Sequence, residues 1–319
     1  MSIDTTVRAI WIPFSLPLLR PSSLKTPMRS MIARLCRLFS PGRFAPILLL
    51  LGIPPASRAL TLQDDFSELQ AGPLPLSWLE KRWKTHADNG VRENRVSVLQ
   101  EDGNSFIRVS YPQGQIGSRA SGASWRSPLP PSDEATAEYR VRFEPDFHWT
   151  SGGKLPGLSG GTGATGGRPN PDGLTARYMW KPGGRLILYL YHSEQRGRYG
   201  DGIRLDHALL RPGEWHTLRQ RIKLNTPGQP DGELQVWIDG KLAFNRTDMR
   251  WRSADQTWQI NRFYFSTFHG GASDDYRPDR DNHIDFDDFV ITTVDPPPLS
   301  ASSAQPHNHP TSATQPAAL

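Results

Sequence analysis

The feature that most constrains this chain is a hydrophobic alternation of period two, repeated in short runs with no helical period between them. At residues 137–144, Ala137, Tyr139, Val141 and Phe143 alternate with Glu138, Arg140, Arg142 and Glu144, so an extended strand there has one apolar and one charged face. Runs of the same kind occur at residues 106–111, 174–180, 186–191, 215–224, 234–238, 262–268 and 284–291. Glycine and proline end them: Lys181-Pro182-Gly183-Gly184, Arg211-Pro212-Gly213 and Thr226-Pro227-Gly228 read as turns, and Asp239-Gly240 between two runs predicts a two-residue hairpin. Many short strands, regular turns and no internal repeat predict an all-β protein, a jelly-roll β-sandwich of two antiparallel sheets.

The two ends follow different rules. Residues 1–59 carry eight of the 37 basic side chains but only one of the 32 acidic ones. From Met28 or Met31 onward, a basic stretch, an apolar run at residues 46–53 and small residues ending at Ala59 have the order of a secretory signal peptide, and the run is too short to span a bilayer. We therefore expect a leader over residues 1–59, a start at Met28 or Met31, and a secreted or periplasmic product with no membrane span once the leader is removed. From residue 296 the chain is Pro/Ser/Ala-rich, a composition too poor in apolar side chains to fold, so 60–295 is the expected domain and 296–319 a disordered tail.

Removing the leader also removes the basic excess, so the pI near 9.4 is no argument for a nucleic-acid partner. Cys36, the only cysteine, lies inside the leader, which excludes disulfides, thiolate nucleophiles and cysteine metal sites from the expected domain.

Within the domain the segment Gly152-Gly153-Lys154-Leu155-Pro156-Gly157-Leu158, followed by glycine-rich residues 160–167, places a lysine on what reads as an irregular loop. No Gly-Lys-Ser/Thr ending is present, which excludes a nucleotide phosphate loop. Taken alone, Lys154 reads equally as a solvated surface lysine. In residues 174–180 period two groups Thr175, Arg177 and Met179 on one face; in residues 186–191 it groups Leu186, Leu188 and Leu190 against Ile187, Tyr189 and Tyr191. If the leucines take the core, Tyr189 and Tyr191 look out, and the intervening turn makes Arg177 their neighbour. The alternative is that both tyrosines pack inside with their hydroxyls tied to backbone.

A lysine, an arginine and two tyrosines on one sheet face suit β-elimination in a polyuronate. The proton at C5 lies next to the uronate carboxylate, so its removal loads charge onto that carboxylate, which a cation must stabilise. Lys and Tyr can share the base and acid roles without a metal or organic cofactor.

The Gly-Gly-Lys-Leu-Pro-Gly-Leu segment, Leu174-Thr-Ala-Arg-Tyr-Met-Trp180, Leu188-Tyr-Leu-Tyr191, Leu224-Asn-Thr-Pro-Gly228, Val236-Trp-Ile-Asp-Gly240, Phe265-Ser-Thr-Phe-His-Gly-Gly271 and Asp285-Phe-Asp-Asp-Phe289 together resemble the polysaccharide lyase family 14 domain, over about residues 64–293. The resemblance implies a lyase cleaving an acidic polysaccharide such as alginate or polyglucuronate. It implies Lys154, Tyr189 and Tyr191 as catalytic residues, and Arg177 as a carboxylate contact with Thr175 beside it. Ser159 and His269 stand where aromatic residues are common in that family. His269 and Arg119, in Gly117-Ser-Arg-Ala-Ser, complete the expected substrate contacts. No cofactor is required, and Asp64, Asp65, Asp285, Asp287 and Asp288 are the candidates for a structural calcium ion. The expected state is a monomer. A glycoside hydrolase would need a pair of facing carboxylates, and the Glu-x-Asp-x-x-Glu strand pattern is absent. A non-catalytic carbohydrate-binding sandwich using Trp180, Trp237 or Trp251 is the remaining alternative.

Overall fold

A computed structural model describes residues 58–294, apart from residues 164, 169–171 and 196. The expected leader up to residue 57 and the tail from residue 295 lie outside the described residues. Sixteen strands account for most of the rest. The first half holds β1 (Arg58–Asp64), β2 (Gly72–Pro73), β3 (Ala87–Asn89), β4 (Val96–Glu101), β5 (Asn104–Tyr111), β6 (Ala123–Ser132), β7 (Glu134–Phe143) and β8 (Gly153–Gly161). The second half holds β9 (Gly173–Trp180), β10 (Arg185–Tyr191), β11 (Asp201–Leu209), β12 (Trp215–Lys223), β13 (Gly232–Ile238), β14 (Lys241–Met249), β15 (Ile260–His269) and β16 (Asn282–Val294). Two short helices, α1 (Leu76–Arg82) and α2 (Gly117–Ala120), interrupt them.

The strands form two antiparallel sheets, an all-β sandwich. Sheet A runs β14-β13-β12-β7-β16-β5-β4-β2, with β1 also paired to β16; sheet B runs β11-β10-β9-β8-β15-β6-β3. Between them, apolar side chains from alternate positions meet as the periodicity requires. Tyr139, Val141 and Phe143 of β7, Phe263 and Phe265 of β15, and Leu186, Leu188 and Leu190 of β10 are all buried. Asp239 and Gly240 both have positive φ, 50° and 74°, and join β13 to β14 through the expected two-residue turn, with Ile238 opposite Lys241.

One expectation needs correction. The Gly-Gly-Lys-Leu-Pro-Gly-Leu segment is not a loop: it is β8, a central strand of sheet B, paired on both sides. Its glycines serve close strand packing rather than chain reversal. A Cβ on Gly157 would stand 1.9 Å from the carbonyl oxygen of Ala176, and one on Gly153 2.0 Å from the Trp180 ring. Pro156, which cannot donate to a ladder, sits at a register shift between Leu155 and Gly157.

Candidate active site

The outer face of sheet B is built by cross-strand register. Arg177 of β9 stands opposite Gly157 of β8 on one side and Tyr189 of β10 on the other. Lys154 faces Met179, and Thr175 faces both Ser159 and Tyr191. Because Leu188 and Leu190 enter the core, Tyr189 and Tyr191 share the opposite face with Lys154, Arg177 and Thr175, as the alternation predicts. The reading in which both tyrosines pack inside the sandwich does not hold.

The Lys154 amine lies 4.0 Å from the centroid of the Tyr189 ring and donates to the Met179 sulfur at 3.1 Å. A thioether is a weak acceptor and a ring face a weak one, so neither replaces the water lost on burial. Burial, followed by the charges of Arg177 and Lys181, drives the Lys154 pKa well below the ordinary lysine value. Tyr189 moves the other way. Burial raises its phenol above the usual range, and the hydrogen bond and charge of Tyr191 add to the rise, against a smaller pull from Arg177. The two tyrosine rings meet edge to face, with centroids 5.5 Å apart.

Arg177 is 3 % exposed. Its Nη1 donates to Ser266 Oγ at 3.0 Å, its guanidinium lies 4.9 Å from the Tyr264 ring centroid, and its Nε has no hydrogen-bond partner. Guanidinium retains its charge even when buried, so this is a fixed cation with a spare donor. The face therefore combines a fixed cation, an amine inclined to be neutral and a phenol inclined to stay protonated. That set can hold a carboxylate, take a proton and give one.

A family model for polysaccharide lyase 14 matches residues 99–289, which contain every residue of this face. The chain belongs to polysaccharide lyase family 14. It is a polysaccharide lyase, which sets aside the non-catalytic alternative. Among solved structures, the alginate lyase Aly36B, in a double variant bound to an alginate trisaccharide, is 27 % identical, covers 74 % of this chain and 99 % of its own, and superposes with a TM-score of 0.66. The alginate lyase of Aplysia kurodai shares the fold at 23 % identity, with 75 % of this chain and 98 % of its own covered and a TM-score of 0.61. Exolysin of Paramecium bursaria Chlorella virus 1 is 22 % identical over 210 residues, 56 % of this chain; the lyase spans about a third (32 %) of that relative's length.

The remaining expected site residues of the lyase divide. Thr175 is on the site face but fully buried, between Ser159 and Tyr191. Tyr191 is likewise buried, and its hydroxyl accepts the Gly167 N–H at 3.2 Å, so part of the glycine-rich connection lies against it. Arg119 is exposed on α2, and no hydrogen bond or ion pair joins it to the face. His269 requires correction: it belongs to the core side. Its ring stacks on Phe147 at 5.4 Å and packs edge-on against Trp180, Nδ1 contacts Thr150 Oγ1 at 3.1 Å, and burial, followed by the charge of His148, pushes its pKa to about 3. The alternation of β15 explains this, because His269 has the parity of Phe263 and Phe265, which point inward.

The acids proposed for calcium are spread among separate partners. Asp285 accepts from Arg108 and Arg142, Asp287 from Asn104 and Asp64 from Trp83, while Asp288 pairs with Arg140. Among the described residues no group of three acids or histidines is placed to hold a metal ion.

The sequence reading missed Tyr264, Ser266 and Arg126. Tyr264 lies between Arg177 and Arg126, whose guanidinium is 4.2 Å from its ring centroid. Burial alone would raise its phenol, but Arg177, Arg126 and hydrogen bonds with Ser266 and Ser124 hold it below the usual tyrosine value. The signal was in the sequence: Arg262, Tyr264 and Ser266 alternate with Phe263 and Phe265, marking an outward polar face on β15.

Proposed function

We propose that this lyase cleaves a uronate polymer by β-elimination, with alginate the first substrate to test. The observation that carries the reading is the Lys154 amine, buried over the Tyr189 ring at 4.0 Å beside Arg177, with a thioether rather than a carboxylate as its hydrogen-bond acceptor. Arg177 takes the carboxylate of the reacting uronate. Neutral Lys154 removes the C5 proton; the electron pair forms the C4–C5 double bond as the C4–O bond breaks; Tyr189 gives its proton to the departing oxygen. The ammonium of Lys154 then returns a proton to the Tyr189 phenolate, and the site is reset with no external reactant. Tyr191 holds Tyr189 through their hydrogen bond and ring contact. The alginate ligand of Aly36B, at 27 % identity, favours a uronate substrate.

The order of charge and hydropathy in residues 1–59 supports export, and N-terminal sequencing of the exported product checks the expected cut after Ala59. Arg58 and Ala59 pair with Val294 and Thr293 in β1, so that cut would shorten an edge strand by two residues.

A panel of alginate blocks, polyglucuronate and a neutral glucan, followed by ultraviolet absorbance of the unsaturated product, tests the proposal. Absorbance should rise with at least one polyuronate and not with the glucan. No rise with any polyuronate, under conditions where a known alginate lyase is active, contradicts it.

A further inference from the structure

The two sheets treat charge differently. On sheet A arginines are answered by acids: Arg108 and Arg142 by Asp285, Arg140 by Asp288, Arg221 by Glu134 and Glu233. On sheet B the five adjoining strands β10, β9, β8, β15 and β6 contain no Asp or Glu, while they carry Arg126, Lys154, Arg177, Arg185 and Arg262. The acids of this sheet are confined to its edge strands, β3 and β11. A face of this kind attracts a polyanion along its whole width, and not only at the reacting centre.

Register arranges part of that charge in one row. Arg126, Tyr264, Gly157, Arg177 and Tyr189 stand opposite one another across five strands. Gly157 contributes no side chain, so the Tyr264 ring and the Arg177 guanidinium meet over the gap. Arg126 lies on the same ring at 4.2 Å, and it is exposed where Arg177 is buried. Two guanidiniums held by one aromatic ring are separated on the scale of one to two sugar rings. Arg262, the other arginine nearby, spends Nη2 on the Gly161 carbonyl and Nε on Asn261, which fixes it to the start of the β8–β9 connection.

We propose that Arg126, seated on Tyr264, forms a second carboxylate-binding position of the same cleft, taking a uronate that neighbours the one held at Arg177. This rests on the uronate reading above. The ligand class is an oligouronate with carboxylates on successive sugars. Tyr264 supports the position by holding Arg126 rigid without neutralising it, as a carboxylate in its place would.

The test compares wild type with Arg126→Met on a uronate oligosaccharide and on the same oligosaccharide with its carboxyls reduced to hydroxymethyl groups, reading KM for cleavage and the dissociation constant in the Lys154→Ala background. Loss of a charge-assisted contact predicts an affinity for the uronate weaker by about tenfold, an effect mainly on KM, and little change for the reduced ligand. Equal affinity of wild type and Arg126→Met for the uronate overturns the proposal, as does an equal loss for both ligands. Arg126→Lys, which keeps the charge but not the fork, should fall between them, and it stands in if the methionine variant proves unstable. Absence of any cleavage by wild type would instead overturn the elimination reading, while the binding comparison would still decide the role of Arg126.

Discussion

At neutral pH an ordinary lysine is an ammonium ion and cannot accept a proton. Lys154 escapes this because it has lost its water and has two cations nearby, with only a ring face and a thioether as close neighbours. Below the ordinary lysine pKa of 10.5 the unfolded chain therefore binds a proton that the folded chain binds poorly, and this burden on the fold disappears only as pH rises through 10.5. Lys154→Met should abolish turnover yet stabilise the protein at pH 7 by about 1 kcal/mol, a gain that vanishes above about pH 10.5; denaturant melts at the two pH values check it. The same depressed pKa sets the acid limb of the rate profile, since activity is lost as pH falls through it. Lys181→Met removes one of the charges that depresses it, so that limb should move to higher pH in a kcat profile; an unmoved limb contradicts the electrostatic account.

At the scale of elements, the site depends on how closely β8 lies to β9. Gly157 lets the strands approach, and the missing side chain leaves the space in which Arg177 and Tyr264 meet. Gly157→Ala would drive a Cβ against the Ala176 carbonyl, so we expect a destabilisation of about 3 kcal/mol and loss of activity, measured by thermal melting alongside turnover. This strand also shows where the sequence was hard to read. Period two correctly put Arg177, Tyr189 and Tyr191 on one face, because leucine and tyrosine differ clearly in their claim on a core. It could not reveal β8, since glycine and proline are the usual signs of a turn and the reason for them here is the strand alongside. β6, with Pro128, Pro130 and Pro131, was missed for the same reason. Tyr264 and His269 were legible in the alternation of β15, which sends the first outward and the second into the core.

Across the whole molecule, the charge distribution divides the sandwich into one face of paired ions and one with acid-free central strands. Surface ion pairs add little to stability, but an uncompensated cationic face raises the local concentration of an anionic polymer. KM for a polyuronate should therefore climb with added salt between low and physiological ionic strength, and kcat should change much less; a KM independent of salt contradicts this view of the face. The sandwich and its catalytic face were both readable from sequence, while the closeness of the rows and the Arg126–Tyr264–Arg177 stack required three dimensions. The most direct measurement is the ultraviolet absorbance of unsaturated uronate released from alginate by wild type, Lys154→Ala and Tyr189→Phe, side by side. The account predicts a steady rise for wild type and none for either variant, with all three proteins folded. Near wild-type rates in either variant would contradict the role given to that residue.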